Sequence, residues 1–289
     1  MPPCPPSPAP AFSSLAIDSM TSFSVPAGLT VAAAQTLVWP GDVAANVQQH
    51  VLFVQAAASA GVQLLVFPEL SLMGYEPTLM ARNVLAPDAP QLAPLRDAAA
   101  QHGMVLVVGT AVAAEAGQAN PGIGSVVLHP DGRTELYRKH HLHDGEQQFA
   151  SPGAAPAHVT ELGGEPVGLA VCADITHPEH AQATRAGGAA LYACSMVLSP
   201  GGYPAESALL QGYARTHGMA VLMANYGAPT GGYLCVGRSA LWAPGGELVV
   251  AAPGVGACLV VGRRSEGGGA GAVAGAWTGA VLPVPGLAP

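Results

Sequence analysis

Apolar positions along the chain change their period several times, and each change marks a predicted element. Leu29 to Ala34 is a short apolar run of the kind found in strands covered on both faces. Asp42 follows as a candidate helix cap. Val43, Val47, Val51, Val54 and Ala58 then recur at three- and four-residue spacing, which predicts a helix to about Ala60. Leu64 to Phe67 reads as a second buried strand, Pro90 to His102 as a helix and Met104 to Val108 as a strand. Gly124 to His129 and Thr134 to Tyr137 flank Pro130-Asp131-Gly132, a hairpin signal. Val167 to Val171 predicts a strand, Pro178 to Arg185 a helix, Ala190 to Leu198 a strand, Ala205 to His217 a helix and Ala220 to Ala224 a strand. Three further β segments follow at Gly237 to Trp242, Glu247 to Ala251 and Ala257 to Val261. Strands alternating with helices, with hairpins inserted, predict mixed sheets covered by helices in a layered α/β domain.

Composition limits the class of protein. The longest nearly unbroken apolar stretch, Gly188 to Leu198, is well short of the ~20 residues that cross a bilayer. A formal net charge of −8 argues against nucleic-acid or anionic-membrane partners, which need a basic patch. Five cysteines without a paired spacing (Cys4, Cys172, Cys194, Cys235, Cys258) fit a reducing cytoplasm rather than a disulfide framework or zinc ribbon. Residues 1–27 lack the basic and apolar regions of a signal peptide and are expected to be a disordered extension, with Met20 as an alternative start. Residues 265–289 are Gly- and Pro-rich and are expected to form a loosely packed tail. No linker divides residues 28–264, so one domain is expected there.

Three segments carry chemistry. Glu69 in Phe67-Pro68-Glu69 lies just past an apolar strand, where α/β folds place functional groups. Partial burial there would raise its pKa towards neutrality and suit it to proton exchange, although a Glu at such an exit can equally cap a turn. The second segment runs from Tyr137 to Glu146 and holds Lys139, the only lysine. Its ammonium could stabilise an oxyanion, with Glu146 holding it. His141, His143 and Asp144 could instead begin a metal site extended by His177 and His180, but a well-separated third ligand is not evident. The third segment, Cys172-Ala173-Asp174 to Pro178-Glu179, ends a predicted strand and precedes a helix opened by proline. A thiol at that turn would be presented at the sheet edge, with the Ala173 N–H free to donate to an oxyanion. A cation such as Lys139 would lower the thiol pKa towards reactivity.

Glu69, Lys139 and Cys172, in that chain order, resemble the catalytic set of the nitrilase, or carbon–nitrogen hydrolase, superfamily. The likeness extends to Gly74-Tyr75, to Glu146, Phe149 and Pro152-Gly153, to Ala224-Asn225-Tyr226-Gly227, to Gly237-Arg238-Ser239 and to Pro244-Gly245-Gly246-Glu247. It covers about residues 28 to 262. The resemblance implies a four-layer α-β-β-α sandwich with two mixed sheets, a homodimer or higher homo-oligomer, and no cofactor or metal. It also implies catalysis by Glu69, Lys139 and Cys172 through a thioester, with Glu146 positioning Lys139. Tyr75, Ala173, His177 and Asn225 are the expected substrate-binding residues, and Arg185 is a weaker candidate for a substrate carboxylate. Asp174, two residues after the thiol, favours a small amide or carbamoyl compound over a nitrile. A nitrile hydrolase and a catalytically silent binding protein on this fold are the alternatives. The membrane acyltransferase branch is not expected, because no transmembrane segment is evident. The glutaminase part of an NAD synthetase is disfavoured, because no synthetase half is evident.

Overall fold

Alternate residues of the first strand face two different cores. The computed structural model describes residues 28–266 and 275–287. In β1 (Gly28–Gln35), Val31 and Ala33 join one buried cluster, while Ala32 and Ala34 join another with residues of α1 (Val43–Ser59) and α2 (Ala93–His102). β2 (Leu64–Val66) and β3 (Val105–Val112) repeat the pattern. Leu64, Val66, Val105 and Val107 point one way, and Leu65, Leu106 and Val108 point towards the helices. A period of two, apolar at both phases, is what a sheet packed on both faces requires.

β4 (Gly122–Leu128), β5 (Thr134–Arg138), β12 (Cys258–Ser265) and β13 (Trp277–Leu282) complete a seven-stranded sheet in the order β13-β12-β1-β2-β3-β4-β5. The second sheet has six strands. These are β6 (His158–Leu162), β7 (Glu165–Val171), β8 (Leu191–Ser195), β9 (Ala220–Ala224), β10 (Ala240–Trp242) and β11 (Leu248–Ala251), ordered β11-β10-β9-β8-β7-β6. Both sheets are mixed: β1, β2 and β3 run parallel, as do β7, β8 and β9, with antiparallel strands on either side. Inward side chains of the two sheets share one cluster, which Ala181 of α3 (Pro178–Ala186) and Leu210 and Ala214 of α4 (Tyr203–His217) join beside the second sheet. The layers are α-β-β-α, as expected.

Some expectations change. The buried face of α1 keeps Val47 and Val54 of the predicted valine face and widens to take in Asn46, His50, Phe53 and Ala57. The two polar members are buried because they anchor the loop after β2. Asn46 Nδ2 donates to the Trp39 and Leu72 carbonyls, and His50 Nε2 lies 2.8 Å from Ser71 Oγ. Burial pushes the His50 pKa down to about 3, so the ring is neutral. The tail is not wholly loose: Trp277 to Leu282 pair with Arg264 to Leu259 as β13. The β segment predicted from Gly237 shrinks to Ala240–Trp242, because Gly237 and Arg238 adopt positive φ. The strand β6 was not anticipated. The extension assigned to residues 1–27 and the tail residues 267–274 and 288–289 lie outside the described residues.

Candidate active site

The three predicted catalytic residues lie at the carboxyl ends of strands, but not of one sheet. Glu69 follows β2, with Phe67 and Pro68 between, and Lys139 directly follows β5; both strands belong to the seven-stranded sheet. Cys172 directly follows β7 of the other sheet. The sandwich brings their tips together at one cleft of about 600 Å³, lined by Glu69, Tyr75, His143, Glu146, Cys172 and Glu206 among others.

Local chemistry holds each group. Gly109 of β3 lies so close to the Glu69 turn that a Cβ there would collide with the Pro68 carbonyl oxygen and the Leu70 nitrogen. Tyr226 donates from its hydroxyl to the Glu69 carbonyl oxygen at 2.8 Å. Cys172 has φ +42, a strained value for a residue with a side chain, at the start of a one-turn 3-10 segment (Cys172–Thr176). This is the sharp strand-to-helix turn predicted for the thiol. Asp174 secures it: its carboxylate accepts from the Val171, His140 and His141 backbone N–H groups and from the Tyr137 hydroxyl. One buried carboxylate therefore ties the Cys172 turn to the Lys139 loop. With those four donors and no exposure, Asp174 does not face the cleft, so the predicted amide preference cannot come from its direct contact with a substrate.

Lys139 is fully buried and donates to Glu69 Oε1 at 2.7 Å and to Glu146 Oε1 at 2.8 Å, leaving one ammonium N–H. Burial opposes its charge, but Glu69, Cys172 and Glu146 together hold its pKa above the usual value. Burial raises the Glu69 carboxyl to about 7 against the pull of Lys139, and its Oε2 has no hydrogen-bond partner. Glu146 also accepts from the Tyr75 hydroxyl at 2.6 Å and the His143 N–H at 2.8 Å. Burial disfavours its charge, but Lys139 and these donors keep its pKa below the ordinary range. Burial and the Glu69 charge hold the Cys172 thiol well above its ordinary pKa, and Lys139 offsets only part of this. The expected thiol acidification is not found: deprotonation of this buried sulfur needs an adjacent base.

The other predicted residues divide. Tyr75 lines the cleft, its ring edge-on to Phe149 and Tyr233. Ala173 follows the thiol in the 3-10 turn and is buried. Asn225 is brought to the scaffold rather than the cleft: it accepts from the Leu198 N–H at 2.8 Å and donates to the Gly237 carbonyl at 2.7 Å. His177 lies away from the cleft, stacked on His141 with ring centroids 3.7 Å apart and planes 7° off parallel. Arg185 donates to the Ala189 carbonyl at the end of α3.

Among the cleft residues given no role there by the sequence are His143, named only as a possible metal ligand, and Glu206. His143 Nε2 lies 3.3 Å from Cys172 Sγ, and burial and Lys139 lower its pKa. Its only sequence signal was membership of the His-rich loop. Glu206, in the first turn of α4, carried no signal beyond its helix position. The metal reading of that loop fares poorly. His141, His177 and Glu179 place ligand atoms within 4.8 Å of one another, but near-parallel stacked imidazoles aim their lone pairs side by side rather than at one ion. His143 has turned to the thiol, and His180 is engaged by Tyr137 and Tyr192.

The carbon–nitrogen hydrolase family profile matches residues 30–261. The chain belongs to that family. An amidase of the nitrilase superfamily from Nesterenkonia AN1 matches the hydrolase with a TM-score of 0.74 and 27% identity, over 82% of this chain and 92% of that one. Structures of that amidase include a complex with butyramide and a covalent adduct of fluoroacetamide's acetamide moiety on the active-site cysteine. An (R)-stereoselective amidase from a Pseudomonas species is 29% identical over 72% of this chain and 75% of its own length. A glutamine-dependent NAD(+) synthetase from Xylella fastidiosa is 34% identical over 68% of this chain. The hydrolase spans only 37% of that synthetase's length. Amidases are thus among the relatives that share its fold and family. Among its described residues, no helix is long and apolar enough to cross a membrane.

Proposed function

We propose that the hydrolase cleaves a small amide or carbamoyl compound through a thioester on Cys172. The observation that carries this reading is the buried Glu69–Lys139–Glu146 array opening onto the same cleft as the thiol. Glu69 takes the thiol proton as the sulfur attacks the amide carbon, since burial keeps the free thiol protonated. The remaining N–H of Lys139 and the Ala173 N–H stabilise the oxyanion that forms. Glu69 then protonates the departing amine and activates water, which cleaves the thioester and releases the acid. Glu146 and Tyr75 hold Lys139 in place and border the substrate. The homodimer expected from the family and the cytoplasmic setting expected from the cysteines belong to the same proposal, and light scattering of the purified protein reads the first.

The test is ammonia release from a panel of small amides, ureido acids, glutamine and nitriles, with wild type against Cys172→Ala. Release from amides by wild type, reduced to background in the variant, is expected. A nitrile-only profile would overturn the amide assignment, and a glutamine-only profile would favour a synthetase-type glutaminase. Iodoacetamide at neutral pH should alkylate Cys172 ahead of Cys194 and Cys235; equal rates would remove its claim as nucleophile.

A further inference from the structure

Of the two acidic groups on the cleft wall that the catalytic array leaves unused, Asp144 and Glu206, only Glu206 has a buried carboxylate oxygen without a partner. Glu69 and Glu146 share the Lys139 ammonium, whereas the buried Oε2 of Glu206 has no hydrogen-bond partner. The residue sits in the first turn of α4, so its backbone is fixed by the helix and its carboxyl is presented to the cavity beside Val197 and Ser199. The wall also carries Asp144, yet among the described lining residues there is neither an arginine nor a lysine. A substrate carboxylate would enter a cavity bordered by Glu69, Glu146, Asp144 and Glu206, with the one nearby ammonium already paired twice. Like charges in a cavity of low dielectric repel strongly, and an unpaired buried oxygen is costly until a donor arrives.

We propose that Glu206 is a specificity-determining residue that pairs with a cationic amine on the substrate, so that the hydrolase prefers amides bearing a protonated amino group. The proposal rests on the amidase reading above and narrows it: the ureido acids, being anionic, fall out of favour. Burial already raises the Glu206 pKa, with Lys139 offsetting part of the rise, which marks a carboxylate lacking a close counterion. Its charge also helps to keep the Cys172 thiol protonated. A bound ammonium would relieve both effects, so occupancy by the right substrate would ease formation of the thiolate it is to meet.

The experiment compares kcat/KM for three matched series: ω-amino alkanamides of two to six methylenes, the uncharged alkanamides of equal length, and the corresponding dicarboxylic monoamides. Wild type should favour the best ω-amino amide over its uncharged match by roughly 10- to 100-fold, the range of a hydrogen bond to a charged group. Glu206→Gln should collapse that ratio at least ~10-fold, and Glu206→Lys should transfer the preference to the monoamide carboxylates. A residue that merely props up the helix would slow all three series together and leave the ratio where it was. Turnover with no charge preference, or a ratio unmoved by Glu206→Gln, overturns this inference and leaves the amidase reading standing. Failure of every amide in all series, with Cys172 still alkylated by iodoacetamide, overturns both.

Discussion

Glu69 is the residue whose ionisation governs the proposed chemistry. It acts as a base only when deprotonated, and burial holds its carboxyl at about 7. Activity should therefore be full above that pH and be lost as pH falls through it. With an uncharged amide as substrate, log kcat/KM should drop with unit slope on the acid side, with an apparent pKa near 7. His143 cannot supply that limb, because burial and Lys139 lower its pKa. The limb should persist in His143→Asn, while Glu69→Gln should lose roughly 10²- to 10⁴-fold in rate. An acid limb near the free carboxylate value of about 4.3 would contradict the burial argument. At this scale Glu69, Lys139, Glu146, Cys172 and Tyr75 were legible, because each belongs to a short motif in fixed chain order. His143 and Glu206 were not. Their roles depend on which side chain turns towards the cavity, and no local spacing encodes that.

The turns that present these groups hold a second kind of information. Asp174 joins the Cys172 turn to the Lys139 loop with four hydrogen bonds, three of them from residues more than thirty positions away. Asp174→Asn replaces an all-acceptor group by one that is half donor, so at least one buried donor loses its partner. The expected cost is about 2–4 kcal/mol, read as a lower Tm together with a lower kcat. A drop in Tm with kcat unchanged would show that the tie matters only for folding. The sequence marked Asp174 as a discriminator of substrates, and the structure gives it a positioning task. The same substitution of roles occurs at Asn225, which joins the backbone at Leu198 to that at Gly237. Polar residues in strong motifs announce that they are needed; only the fold tells whether by a ligand or by a neighbouring loop. The polar stripe of α1 escaped notice for a related reason, since hydrophobic periodicity is blind to Asn46 and His50, buried to hold the Glu69 loop.

At the scale of the whole molecule the layered architecture was readable because its central strands are continuously apolar. The edges were harder. β6 and β13 have one neighbour each in their sheets and mixed burial, so their patterns are weak. Leu64 and Leu65 allow a test of what the core does for the site. They adjoin in β2 and are both fully buried, but Leu64 faces the other sheet and Leu65 faces the helices. Leu64→Ala and Leu65→Ala should each cost about 2–5 kcal/mol. Only Leu64→Ala should also depress kcat well beyond what its residual folded fraction explains. Equal kcat values, corrected for folded protein, would refute the distinction. The reason lies in the division of labour noted for the cleft, with Glu69 and Lys139 on one sheet and Cys172 on the other. Mechanically, the hydrolase is a clamp with one jaw per sheet, and the side chains packed between them are the shim that sets its gap.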